Sequence, residues 1–275
     1  MVTGIMAEQK YFVGGGVMVA TADLTMAMLL AFANRLVDAD RYCRADSTFQ
    51  EQTMALMGHG CSTKTVGLIG LGQVGMHMVP RLRSFNMEIL YLKRDRLTPY
   101  EEQYLGIEYA ELDDLLARSD YVCLLVDYND STHGMIGARE FALMKPTAYV
   151  INPARGRIVD EPAMIAALQD GTIAGAGVEV FYNEPPEVWD PHIPAELREM
   201  DNVILAPHNG GATYLSRSQQ LMLPTQALIE LIRGERPRGL LNPEGFGAPV
   251  LRPPLYGRGP SAPASEGGIS NYSIY

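Results

Sequence analysis

The sequence predicts an α/β fold, a doubly wound parallel sheet, on three observations. Short apolar runs without polar alternation recur through the middle of the chain, helical periods separate them, and the first run opens into a glycine-rich turn. Apolar runs of this kind suit strands covered on both faces, and strand–helix alternation at this spacing marks βαβ units. At 275 residues the chain has room for one large domain or two ordinary ones. It can bury about three quarters of its unfolded surface without disulfides or metal.

The elements follow in order. Met1 to Ala20 carries Gly14-Gly15-Gly16 between apolar pieces and is too short to fold alone. Thr21 to Leu36 is an apolar helix. Strand-like runs then occur at Thr65–Ile69, Glu88–Leu92, Tyr121–Val126, Ala148–Ile151, Ala174–Val180 and Val203–Leu205. Helical stretches lie at Val74–Phe85, Leu112–Ala117, Ala138–Met144, Pro162–Gln169 and Tyr214–Ile232. Pro80 and Pro224 fall inside two of these, and each removes an i→i−4 bond, so a kink or break is expected at both. Gly245 to Tyr275 collapses into Gly, Pro and Ser, a composition that cannot offset its ordering entropy and reads as a disordered tail. The expected organisation is therefore residues 1–20, a nucleotide-binding unit over 21–215, a C-terminal helical segment over 216–244 and the tail over 245–275.

Composition narrows the function. The net charge of −10 argues against nucleic acid and anionic lipid as partners. Three cysteines, Cys43, Cys61 and Cys123, form no CxxC. No disulfide framework or metal site is expected, and a cytoplasmic location fits. The longest apolar stretch is read as Met26 to Leu36, which is broken by Asn34 and Arg35 and is expected to fall far short of a membrane span.

Thr65-Val66-Gly67-Leu68-Ile69 runs directly into Gly70-Leu71-Gly72-Gln73-Val74-Gly75. Gly70 permits the tight turn, Gly72 lets backbone approach a pyrophosphate, and Gly75 lets the helix pack on the strand. Gln73 and Val74 open that helix, whose free N–H groups carry partial positive charge toward phosphates. A lone GxGxxG is weak, but strand before and helix after is the context a dinucleotide site requires. At the end of the next strand stand Lys93 and Arg94, with Arg96 nearby. NAD sites want a carboxylate there; two cations suit a 2′-phosphate, so NADP is the expected cofactor with NAD the alternative. A solvated charged loop is the competing reading, and Asp95 lies two positions late for the carboxylate.

Three further segments put polar residues at strand ends, where ligands bind in open parallel sheets. They are Asn152-Pro153-Ala154-Arg155-Gly156-Arg157-Ile158-Val159-Asp160, Glu179 to Pro186, and Ala206-Pro207-His208-Asn209-Gly210-Gly211-Ala212-Thr213. In this order around the glycine loop they resemble the D-isomer-specific 2-hydroxyacid dehydrogenases, from about Thr21 to Pro243. Thr21 to Leu30 is similar to that family's interdomain helix. The resemblance implies hydride transfer between a nicotinamide cofactor and a small 2-oxo acid of the glyoxylate or hydroxypyruvate type, in a homodimer. It implies that Arg155 orients the substrate carboxylate, that His208 is the acid/base, and that Glu184 holds the imidazole. Cofactor contacts are implied at Asp127, Thr132, Pro153, Ala154, Arg155, Glu179, His208 and Gly210. The chemistry agrees: hydride addition to a ketone needs a proton donor and a nearby cation.

The sequence departs from the family pattern at Lys93-Arg94, at Asp127-Tyr128 where relatives carry Pro-Leu, and at Glu179 where they carry Asp. It also begins shortly before the interdomain helix, so that the family's substrate domain is largely absent and weak activity is expected. That leaves open a non-catalytic nucleotide-binding module, a cofactor sensor or corepressor-like protein.

Overall fold

The computed structural model describes residues 15–45, 54, 56–184 and 192–235. Its strands are β1 (Thr65–Ile69), β2 (Glu88–Leu92), β3 (Glu108–Tyr109), β4 (Tyr121–Leu124), β5 (Tyr149–Asn152), β6 (Gly175–Val178) and β7 (Val203–Leu205). They form one sheet in the order β3-β2-β1-β4-β5-β6-β7, parallel throughout. Its helices are α1 (Gly15–Ala33), α2 (Leu36–Ala45), α3 (Gln73–Ser84), α4 (Pro99–Leu105), α5 (Leu112–Arg118), α6 (Ala138–Leu143), α7 (Glu161–Gln169), α8 (Ala195–Glu199) and α9 (Tyr214–Ile232).

The strands read as apolar runs because both faces are covered. Val66 and Leu68 of β1 join Tyr121 and Cys123 of β4 in a layer with Met26, Leu29 and Phe32 of α1 and Met78 and Leu82 of α3. Ile69, Val122 and Leu124 point the other way, into a layer with Leu115 and Leu116 of α5, Phe141 of α6 and Met164 of α7. Each fully buried Leu, Ile or Phe contributes roughly 1.5–3 kcal/mol, so this two-layer core dominates the fold. The doubly wound sheet expected from the sequence is what forms. Strand order reverses between β1 and β4, and the loops after these two strands open the crevice where such sheets take ligands.

Several expectations need correction. The apolar helix starts at Gly15 rather than Thr21. An 18-residue window, Gly16–Ala33, is long and apolar enough to cross a membrane by length and composition, and the Met26–Leu36 reading overlooked it. Here that helix packs on the sheet, burying Ala22, Met26, Met28, Leu29 and Phe32, and Asp23 pairs with Arg81 Nε at 2.8 Å. Neither proline breaks its helix, since α3 runs through Pro80 and α9 through Pro224. In α3 the packing of Met78, Val79 and Leu82 outweighs one lost bond. The strands β3, α2's ten residues, α4 and α8 add to the elements read from sequence. The tail from Gly245 lies outside the described residues.

Candidate active site

The glycine loop follows β1 as its residue types require. Gly70 has φ +102°, a conformation L side chains rarely adopt, and a Cβ there would stand 2.6 Å from the Leu125 carbonyl. This contact seats the turn against the loop after β4. A Cβ on Gly75 would stand 2.8 Å from the Gly70 oxygen, so this glycine lets α3 close on the turn. In front of Gly72 the space is open, and as N-cap of α3 it offers no side chain to the first N–H groups at Gln73 and Val74. Those donors are therefore available to an anion. Beyond β2, the Leu92 carbonyl accepts the Gly70 N–H at 2.9 Å, which places Lys93 and exposed Arg94 beside the glycine loop.

The loop after β4 holds Asp127, exposed, and Thr132, buried. Thr132 Oγ1 donates to the Asp127 carbonyl at 2.8 Å and accepts the Asn129 N–H at 2.8 Å, so this hydroxyl is occupied in closing its own loop. Tyr128 Oη lies 3.1 Å from His133 Nδ1.

The arginine segment leaves β5 at buried Asn152, whose amide oxygen accepts the Ala154 N–H at 3.1 Å. Its Nδ2 donates to the Arg155 carbonyl at 3.0 Å. Sequence reasoning assigned Asn152 no role, yet it shapes the turn over buried Pro153 and half-buried Ala154 that projects Arg155. Gly156 closes directly on the backbone of Phe181 and Tyr182, where any side chain would clash. Arg155 thus sits against the segment that carries Glu184. Its guanidinium is exposed and donates to the Ala154 carbonyl at 2.6 Å.

Glu184 Oε2 lies 2.6 Å from His208 Nδ1, and its Oε1 accepts the Phe181 N–H at 2.6 Å. The carboxylate is an acceptor, so Nδ1 carries hydrogen, and Nε2 has no hydrogen-bond partner among the described residues. That hydrogen bond raises the His208 pKa above the ordinary imidazole value; burial opposes it, as does the nearby Arg155 charge. His208 has φ +50°, a left-handed conformation that is uncommon outside glycine. Two bonds to Glu179 hold this backbone: the His208 N–H donates to the Glu179 carbonyl at 3.0 Å, and the Gly210 N–H donates to Glu179 Oε1. Glu179 is 2% exposed, burial pushes its carboxyl up, and its Oε2 has no partner among the described residues. A side chain on Gly210 would crowd that carboxylate.

Arg155, Glu179, Glu184, His208 and Gly210 are therefore brought together at the C-terminal edge of β5, β6 and β7. The glycine loop, Lys93 and Arg94 gather at the ends of β1 and β2. The residues present fit a nicotinamide dinucleotide at both ends: an uncapped helix N-terminus with open space at Gly72, and an orphaned buried carboxyl oxygen on Glu179. A groove of about 360 Å³ lined by Met26, Leu30, Arg81 and Phe85 lies elsewhere, between α1 and α3. At the candidate site Arg155 and His208 are both exposed.

Residues 26–210 match the family model for the D-isomer specific 2-hydroxyacid dehydrogenase NAD binding domain. The chain is 42% identical over 229 residues to a glyoxylate reductase of Thermococcus gammatolerans, covering 82% of this chain and 66% of that protein. It is 40% identical over 227 residues to a glyoxylate reductase of Thermococcus litoralis, covering 81% and 66%. The crystal structure of a glyoxylate reductase from Paecilomyes thermophila superposes with a TM-score of 0.66 at 31% identity, over 80% of this chain and 64% of that one. The chain thus spans just under two thirds of the length of these curated relatives. On the match of residues 26–210 to that family model and on these identities, the chain belongs to the D-isomer-specific 2-hydroxyacid dehydrogenase family.

Proposed function

We propose that this chain carries the nucleotide-binding and acid/base half of a 2-oxo acid reductase, using NADPH in preference to NADH and glyoxylate or hydroxypyruvate as substrate. The observation that carries this reading is His208 bonded at 2.6 Å to Glu184, with Arg155 close enough to act on it. When bound, the nicotinamide supplies the hydride. His208 holds a proton on Nε2 for the substrate's carbonyl oxygen, and Glu184 keeps the imidazole oriented and charged. Arg155 offers a cation to the substrate carboxylate and to the charge developing on oxygen. Glu179 steadies the histidine loop and turns its free oxygen toward the nicotinamide end. Lys93 and Arg94 present two charges to a 2′-phosphate, while Asp127 and Thr132 border the adenine side.

A cytoplasmic homodimer completes the proposal. Cys43, Cys61 and Cys123 are free thiols, in keeping with a reducing compartment. The apolar side chains left exposed on α9, Leu221, Met222, Leu228 and Ile232 among them, suit a protein–protein surface.

Oxidation of NADPH and NADH against a panel of 2-oxo acids tests the proposal. Turnover with glyoxylate or hydroxypyruvate, faster with NADPH, is expected. Tight cofactor binding with no turnover would select the non-catalytic module, which the exposure of Arg155 and of 49% of the His208 side chain favours.

A further inference from the structure

In sequence Arg96 stands beside Lys93 and Arg94, but its surroundings give it a different task. Its Nε and Nη2 donate to Glu102 Oε1 and Oε2 at 2.8 and 3.0 Å. Its guanidinium lies over the Tyr109 ring, 4.8 Å from the centroid. Glu102 exposes only 12% of its side chain and also accepts from Tyr91 Oη at 2.7 Å. Tyr91 is fully buried on β2, and its oxygen accepts the Leu97 N–H at 3.0 Å. The Arg96 guanidinium, then the Tyr91 hydroxyl, hold the Glu102 carboxyl below its usual range. Burial, then the bond to Glu102, pushes the Tyr91 phenol up to about 12. At neutral pH the cluster therefore has a single charge arrangement.

These bonds fasten both arms of a short loop. Leu92 is tied to Gly70 on the incoming side; Arg96 and Leu97 are tied to Glu102 and Tyr91 on the outgoing side. Past Leu97, Thr98 caps α4 through a reciprocal bond with Glu101, so the loop ends on a fixed helix. Between the ties, Lys93 and Arg94 make no side-chain hydrogen bond or ion pair among the described residues. Two cations, of which Lys93 is near enough to Glu101 to act on its carboxylate, stand on a tip whose arms are both anchored.

We propose that the Tyr91–Glu102–Arg96 cluster is a brace that fixes the Lys93–Arg94 tip for a phosphomonoester beside the glycine loop, making Glu102 a positioning residue for the choice of NADPH over NADH. This rests on the cofactor reading above. A tip ordered only on binding loses affinity to conformational entropy, whereas one already fixed by folding does not. The sign of the effect separates bracing from simple charge. Removing the Glu102 charge and releasing Arg96 makes the neighbourhood more positive, which by electrostatics alone would tighten NADPH. Loss of the brace weakens it.

Nicotinamide fluorescence titrations of the whole chain decide the matter, with NADPH and NADH as probes for the unmodified protein, Glu102→Gln, Tyr91→Phe and Lys93→Asp. Glu102→Gln should weaken NADPH roughly threefold to tenfold while NADH stays within about twofold. Unchanged or tighter NADPH binding overturns the brace. If Glu102→Gln lowers both affinities alike, Tyr91→Phe, which keeps the ring and removes only the hydroxyl, must still weaken NADPH alone; a parallel loss there also overturns it. Lys93→Asp tests the underlying reading separately. If it removes the NADPH preference and Glu102→Gln does not, only the brace fails. If the unmodified protein prefers NADH, or Lys93→Asp changes nothing, the cofactor reading fails and the brace with it.

Discussion

The two acids near His208 are set apart by their surroundings. Glu184 reaches the imidazole from a partly open loop and raises its pKa. Glu179, buried behind the same loop, is pushed toward its neutral form by desolvation and spends its bonds on backbone N–H groups. One carboxylate serves the imidazole, and the other serves the left-handed backbone that carries it. Glu184→Gln therefore has a direction. Without the carboxylate the imidazole pKa falls toward its ordinary value of about 6.5, so the basic limb of the kcat/KM profile for reduction should move to lower pH. The linkage sign agrees. A histidine raised in the folded state adds stability that is fully present below about pH 6.5 and is lost as pH rises through the folded pKa. The stability gap between Glu184→Gln and the unmodified protein should therefore narrow at alkaline pH. A basic limb that stays in place would show that Glu184 does not set the histidine's charge. At this scale the gathering of Arg155, Glu184 and His208 was legible because their segments follow strands whose ends converge. Asn152, Tyr91 and Glu102 were not, since their roles depend on contacts that spacing does not encode.

Among the elements, legibility followed burial. The runs Thr65–Ile69, Glu88–Leu92 and Val203–Leu205 have the same bounds in sequence and structure, because two-sided burial demands uninterrupted apolar residues. Strand β3 has two residues, Glu108 and Tyr109, neither of them buried, and so leaves no apolar run. Helix α4 buries none of its residues. The Thr98-Pro99-Tyr100-Glu101 capping box was its available mark. Helix α9 was found by its period, but its apolar side chains are not core: Tyr214, Leu221, Leu228 and Ile232 lie along the side opposite buried Ser216, 57% to 97% exposed. Covering each Leu or Ile with a second copy would contribute roughly 1.5–3 kcal/mol. Sedimentation at micromolar concentration should therefore find a dimer, and Leu221→Glu with Leu228→Glu should shift it toward monomer. A monomer in the unmodified protein would contradict the pairing.

At the scale of the molecule, a seven-stranded parallel sheet gathers two sets of groups along one edge. The set proposed to face phosphate, Gly72 and the first turn of α3 with Lys93 and Arg94, stands on β1 and β2. The set proposed to handle the proton, Arg155, Glu184 and His208, stands on β5, β6 and β7, across the reversal in strand order. A dinucleotide spans such a reversal, which joins binding at one end to chemistry at the other. The most direct test of this division is steady-state kinetics of His208→Ala beside NADPH titration of the same protein. Turnover with glyoxylate or hydroxypyruvate should fall by about 10²–10⁴, with cofactor affinity changed no more than about twofold. Turnover that survives the substitution would contradict the assignment of His208 as proton donor.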